Sequence, residues 1–284
     1  MVLPRIGRIQ TKETTGRFRG RILSATCRRE ADRWYVALTV EAVRPDPAGV
    51  AGPVVGVDRG IRSFAVLSDG TRIDSPRALT RGLRRLRRRS RQVTRKQHGS
   101  ANRRKAALAL ARHHRRIRNQ RVDALHKATT ALARAKSVIV VEDLHVAGMV
   151  RNRQLARAIT DQGWAEFDRQ LAYKTAWYGS RLLVAPRFFA SSKICSRCGL
   201  VKATLPLGVQ VFCCDACGLL IDRDLNAARN LARLALAEAG LVAASSAETQ
   251  NACGEGSAGW TATGPVELPS VKQERTRVHT LTDA

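Results

Sequence analysis

Two short apolar runs stand out along the chain, because each of them ends in a carboxylate. Pro53-Val54-Val55-Gly56-Val57-Asp58 leads into Arg59 and Gly60, and Ser137-Val138-Ile139-Val140-Val141-Glu142 carries four β-branched residues in a row. Apolar runs of this length without alternation predict strands covered on both faces. Partial alternation over residues 33–40, after an apolar stretch at 21–23, predicts an antiparallel hairpin connected through residues 28–32. Further strands are expected at 61–67 and 71–74, joined by Ser68-Asp69-Gly70, a turn of the type that closes hairpins. Another is expected at 180–185, where Pro186 ends it. Helical spacing takes over between these runs. Leu79, Leu83 and Leu86 share one period, and so do Ala107, Leu110, Ala111, Ile117, Val122, Leu125 and Leu132. His98-Gly99-Ser100 interrupts the pattern, so two helices are predicted, about 77–97 and 101–135. After a polar connection at 152–159, a helix from Asp161 to about Tyr178 places Trp164, Phe167, Leu171, Lys174 and Thr175 on one face, and Gly179 stops it. A last helix is expected from Leu225 to Glu238.

Charge changes the picture of the helical part. Fifty Lys and Arg against 23 Asp and Glu leave a net charge of +27 over 284 residues. Between Arg81 and Lys136 there are 20 basic residues and a single acid, Asp123. Like charges one turn apart weaken a helix, so a helix pair of one sign makes sense against phosphates. Aromatics are nearly absent there, which favours backbone contact with a duplex over base stacking. Arg84, Arg85, Arg88, Arg103, Arg104, Arg115 and Arg116 are the expected nucleic-acid contacts. His98, His113 and His114 have no partner set and read as further polar contacts. No run of about 18 apolar residues occurs, so no membrane span or membrane partner is expected. The start, MVLPRIGRIQTKE, lacks the apolar core of a signal peptide, which predicts a cytoplasmic protein with reduced thiols.

The cysteines add a metal. Cys195, Cys198, Cys214 and Cys217 form two C-x-x-C pairs separated by fifteen residues. That spacing predicts a closed, structural Zn²⁺ site of four thiolates, with the loop between the pairs, including residues 209–212, folding as a hairpin. Cys213 is adjacent but off the knuckle spacing, and Cys27 and Cys253 have no partner in sequence. Just beyond the ribbon, Asp222 and Asp224 stand at a helix start, where either serves as an ordinary cap. If the two acid-tipped strands are neighbours in one sheet, Asp58 and Glu142 stand side by side. Carboxylates that close are costly unless they share a cation. Alternation puts Asp143 on the opposite face from Glu142, so only one of the two points at Asp58. A strand-end Asp, a strand-end Glu and a helix-start Asp make a hard oxygen set suited to Mg²⁺ or Mn²⁺ and to phosphodiester hydrolysis.

GVDRG around Asp58, VVEDL around Glu142 and CSRCG…CDACGLLIDRDLNAARN resemble the three RuvC-type motifs and zinc ribbon of the OrfB/TnpB proteins of insertion sequences. NRQLARAITDQGWAEFDRQLAYKTAWYG is similar to the segment that joins the second motif to the ribbon. The resemblance covers most of residues 1–235. It implies an α/β fold, an RNase-H-like (RuvC) mixed sheet with a basic helical insertion and an inserted zinc ribbon. It also implies a transposon-encoded, RNA-guided DNA endonuclease acting in transposition and recombination. Asp58, Glu142 and Asp224 are then the catalytic acids, Asp224 being favoured over Asp222 by its place two residues before Asn226. DNA and a guide RNA are the implied partners. The expected organisation is a strand-rich remnant of a β-barrel at 1–50 and a nuclease domain at 51–235. That domain holds the basic segment at 76–136 and the ribbon at 190–220, and a largely disordered tail follows at 236–284. Members of this family begin with a longer N-terminal region, so the chain is expected to be a short form. The alternative function is a non-catalytic zinc-ribbon nucleic-acid binder from a decayed transposase copy.

Overall fold

The computed structural model describes residues 1–3, 6–14, 16, 20–206, 208–248 and 276–281. In chain order the elements begin with strands β1 (Val2–Leu3), β2 (Gly7–Arg8), β3 (Arg21–Glu30), β4 (Arg33–Glu41), β5 (Val55–Arg59), β6 (Ala65–Leu67) and β7 (Arg72–Ile73). Helices α1 (Ala78–Thr94) and α2 (Ala101–Ala135), strand β8 (Val138–Glu142), and helices α3 (Val146–Met149), α4 (Ala156–Gln162) and α5 (Trp164–Tyr178) follow. The chain continues with β9 (Arg181–Ala185), β10 (Val211–Cys213), β11 (Leu220–Asp222), α6 (Arg223–Glu248) and β12 (Thr276–Leu281). They divide into two units, one of residues 1–45, 81–119 and 260–284, the other of 46–80 and 120–259.

In the first unit β3 and β4 pair antiparallel, and β12 pairs with the other edge of β4. The strands meet through Ala31-Asp32 alone, with Ala31 at φ 58°. The connection expected at 28–32 is therefore shorter, and residues 28–30 belong to β3. Three arginines on successive turns of α2 explain the close turn. Arg112 and Arg115 pair with Asp32 at 3.0 and 2.8 Å, and Arg118 pairs with Glu30. The two predicted basic helices are present, and His113 Nε2 lies 3.0 Å from the Gly82 carbonyl oxygen, tying α2 to α1.

The second unit is built on a five-stranded mixed sheet in the order β7-β6-β5-β8-β9, with β5, β8 and β9 parallel and β6 and β7 antiparallel additions. This is the mixed sheet that the resemblance implies, the RNase-H-like (RuvC) arrangement. Val55, Val57, Ile139 and Val141 face one side, packing with Leu125 and Leu132 of α2, Ile159 of α4, and Trp164, Phe167 and Leu171 of α5. Phe64 meets Phe167 edge-on at 5.0 Å. Each large side chain buried here contributes roughly 1.5–3 kcal/mol. The opposite face packs against α6: Val140 and Ala185 bury with Leu231 and Ala235. Both faces are covered, as the unbroken apolar runs predict.

Several local expectations need correction. The strand expected at 61–67 keeps only its last three residues, because Phe64 donates to the Ile73 carbonyl and its own carbonyl takes the Gly60 amide, closing a loop. The polar connection at 152–159 contains the start of α4, whose single apolar anchor, Ile159, gives no periodic signal. Gly163, at φ 74°, lies in the left-handed region and separates α4 from α5, so the helix expected from Asp161 begins at Trp164. The β10–β11 hairpin straddles the second cysteine pair instead of joining the two pairs. Helix α6 runs ten residues past its expected end, to Glu248. Of the tail read as disordered, residues 249–275 and 282–284, with Cys253, lie outside the described residues, and 276–281 form β12. Among the described residues no helix is long and apolar enough to cross a membrane.

Candidate functional site

Asp58 and Glu142 are brought together by register. Strands β5 and β8 run parallel with Val57 opposite Val141, so the next residues, Asp58 and Glu142, stand at one level near the ends of the two strands. Period-two alternation puts Gly56 and Asp58 on one face of β5, and Val140 and Glu142 on the same face of β8. That face belongs to α6. A Cβ on Gly56 would lie 1.9 Å from the Ala228 carbonyl oxygen and 2.9 Å from Leu231 Cβ, so the helix rests on bare backbone there. Asp224 heads the helical stripe that continues through Ala228, Leu231 and Ala235. Two residues along a strand and four along a helix both cover about 6 Å. With the helix running against β5, Asp224 therefore arrives at the level of Asp58.

The electrostatics agree with the packing. Burial raises the Asp58 carboxyl well above the usual carboxylate range, and the charges of Glu142 and Asp224 raise it further, against Arg223 and Arg59. Ionising Asp58 thus works against folding. The contribution is favourable at low pH and is lost as pH rises through the folded-state value. We expect the cation-free chain to lose thermal stability over that rise, and Asp58→Asn to flatten the profile in unfolding scans made in a chelator. A steeper loss in the variant would contradict the packing described here.

Each acid has a distinct neighbour. Glu142 Oε1 accepts the Ser191 hydroxyl at 2.6 Å. Asp224 Oδ1 receives Arg223 at 3.1 Å. Asp222 acts as the cap of α6: its Oδ1 accepts the amides of Asp224 and Leu225 at 3.1 and 3.0 Å, and its Oδ2 pairs with Arg72 at 2.9 Å. Burial raises the Asp222 carboxyl, but the Leu225 amide, Arg72 and the Asp224 amide outweigh it and hold it below the usual range. Asp143 points away and pairs with Arg187. Arg59, with its side chain fully buried, reaches Asp168 at 2.5 Å and the Glu142 carbonyl, locking the ends of β5 and β8 to α5. Beside the acids lies a cleft of about 170 Å³ lined by Arg62, Arg72, Gly208, Gln210, Asp222, Arg223 and Asp224.

The four predicted cysteines converge. Their sulfurs all lie within 4.8 Å of one another, with Cys195–Cys217 at 3.6 Å and Cys198–Cys214 at 3.5 Å. A tetrahedral zinc with bonds near 2.3 Å requires sulfurs about 3.8 Å apart, so the set fits such an ion. Burial raises the Cys195 thiol, yet the Cys198 and Arg197 amides and the neighbouring thiols bring it down to about 6. Cys213 is exposed and outside the cluster. Among the described residues this is the group whose ligand atoms close to that distance. The knuckle is fastened to α6 by two buried side chains, Asn226 and Asn230, which both donate to the Ile194 carbonyl at 2.7 and 2.6 Å.

Of the arginines expected to meet phosphates, Arg84, Arg85, Arg88, Arg104 and Arg116 are exposed and Arg103 is half-buried. Arg115 differs from them: Asp32 and the Glu30 carbonyl hold it at 2.8 Å each, inside the first unit. Sequence reasoning missed Arg59, Ser191, Asn226 and Asn230 as supporting groups. Only their nearness to the acids and cysteines in sequence hinted at them.

Residues 37–153 match the family model described as "Probable transposase" (OrfB_IS605), and residues 164–231 match the Cas12f1-like TNB domain. Three similar proteins carry the name "Putative RNA-guided DNA endonuclease". One, from Streptomyces pristinaespiralis, is 44% identical over 88% of this chain and 59% of its own length. Another, from Mycobacterium tuberculosis, is 41% identical over 82% of this chain and 55% of its own. The third, from Escherichia coli K12, is 32% identical over 81% of this chain and 60% of its own. The chain thus spans somewhat more than half the length of these relatives.

Proposed function

From the premise that this chain belongs to the TnpB-type proteins of insertion sequences, we propose that it is the nuclease part of a transposon-encoded, RNA-guided DNA endonuclease. Asp58, Glu142 and Asp224 are its catalytic acids. One observation carries this reading: the parallel register of β5 and β8 and the bare contact at Gly56 gather three carboxylates from three elements around one strand end. Such a concentration of negative charge makes sense with Mg²⁺ or Mn²⁺ present, and three carboxylates from three elements suit the pair of ions used in phosphodiester hydrolysis. Bound there, the ions would supply an activated water and stabilise the leaving oxygen. The chain's own part is to hold the ligands. Arg59 fixes the strand ends, Ser191 holds one oxygen of Glu142, and Asp222 caps α6 so that Asp224 sits in its first turn. Arg62, Arg72 and Arg223 line the adjoining cleft with guanidinium groups, the chemistry that receives a phosphodiester backbone. The four cysteines hold a structural zinc.

The test is cleavage of DNA by the purified chain, with the RNA that co-purifies with it, in Mg²⁺ and in chelator. Cutting in Mg²⁺ alone supports the proposal. Nucleic-acid binding without cutting in either condition supports the alternative, a non-catalytic zinc-ribbon binder. The exposed arginines give a separate expectation. Arg84→Gln with Arg88→Gln should lower the salt dependence of binding by about two phosphate contacts, a slope change of roughly 1.8. Arg115→Gln should leave that slope unchanged, because its partners are Asp32 and Glu30. Fluorescence anisotropy across a salt series distinguishes these results.

A further inference from the structure

We infer that Ser191 is a positioning residue for Glu142, and that it ties this carboxylate to the four-cysteine knuckle. The inference rests on the reading of Glu142 as a cation ligand. The Ser191 hydroxyl donates to Glu142 Oε1 at 2.6 Å, the length of a charge-assisted bond. Ser191 is buried, so water does not readily replace it there. One lone pair of Oε1 is engaged, so a side chain with three rotatable bonds is held in one orientation and its remaining lone pairs are aimed for a cation.

The hydroxyl is itself placed by the ribbon's attachment. Asn230 donates to the Ser191 carbonyl at 2.8 Å and to the Ile194 carbonyl at 2.6 Å. One turn earlier on α6, Asn226 donates to the same Ile194 carbonyl and accepts the Ser196 amide at 2.9 Å. The main chain on both sides of Cys195 is therefore pinned to α6, and so is Ser191 four residues before it. The segment that begins on Glu142 ends in the knuckle. An ion in the four-cysteine site then orients two of the acids: Asp224, whose helix carries the clamp, and Glu142, through Ser191.

The test compares Ser191→Thr with Ser191→Val, two side chains of one shape that differ in the hydroxyl. Mn²⁺ binding is measured by calorimetry on the full, RNA-free chain, alongside zinc content and unfolding temperature. Ser191→Val is expected to bind Mn²⁺ about tenfold more weakly than Ser191→Thr, the usual effect of removing a group that orients a metal ligand. Zinc content and unfolding temperature should be alike in the two. Equal Mn²⁺ affinities would overturn the inference. Cys198→Ser is expected to weaken Mn²⁺ binding in the same direction, and unchanged binding after loss of the zinc would overturn the tie to the knuckle. If wild-type Mn²⁺ binding survives Asp58→Ala intact, the carboxylate reading itself fails and takes the inference with it.

Discussion

Asp58→Ala is expected to abolish DNA cleavage while leaving nucleic-acid binding intact. Asp58 is the carboxylate that both other acids act on. Its own charge is disfavoured by burial, by Glu142 and by Asp224, so its ionisation depends on a bound cation. Removing it leaves Glu142 and Asp224 on separate elements without the ligand between them. Losing a cation's stabilisation of the transition state amounts to several kcal/mol, so the rate should fall by at least about a thousandfold. Asp58→Asn should fall as far, since the amide keeps the shape but not the charge. Binding should persist because the exposed arginines of α1 and α2 belong to the other unit. Single-turnover cleavage measured beside anisotropy separates the two quantities. Retention of more than a tenth of the rate would remove Asp58 from the proposed centre.

Gly56→Ala should be the most damaging single methyl group in the second unit. The added carbon would lie 1.9 Å from the Ala228 carbonyl oxygen, 2.6 Å from the Ala232 amide nitrogen and 2.9 Å from Leu231 Cβ. Two of these are helix backbone atoms, so no rotamer change relieves the contact, and α6 must lift from β5. Overpacking typically costs 1–3 kcal/mol when side chains can adjust. With backbone in the way the loss should be about 3 kcal/mol or more. Lifting α6 also withdraws Asp224 from Asp58, so cleavage should fall with stability. Denaturant unfolding would show a lower midpoint. A midpoint within experimental error of wild type would mean that the helix does not rest on this glycine.

Much of this was legible in sequence because the signals were of the strong kinds. The runs ending in Asp58 and Glu142 have no alternation to misread, and both strands lie within a residue or two of where they are expected. The C-x-x-C pairs fix four ligands by spacing, and all four converge. The basic helices are long and periodic; the second starts right after His98-Gly99-Ser100, and the first ends at Thr94, a few residues before it. What escaped was tertiary. Asp161 reads as a helix opener beside its own segment, yet its carboxylate accepts the Leu79 and Thr80 amides at the start of α1. Arg115 is one more cation in a basic run until Asp32 and Glu30, far earlier in the chain, claim it. Ser191 has no local signature, since a hydroxyl next to a knuckle looks like any loop serine.

The clamp between α6 and Gly56 also bears on when the protein acquires its chemistry. Asp58 and Glu142 are translated early, but the helix that carries Asp224 is translated only after the cysteine ribbon that precedes it. A nascent chain still lacking α6 holds two crowded carboxylates without their third member, while its arginine-rich helices have already emerged. Contacts this distant in sequence form late in folding. Under the function proposed above, the growing polypeptide gathers nucleic acid before it is able to cut it, and the order of synthesis delays hydrolysis until α6 has docked.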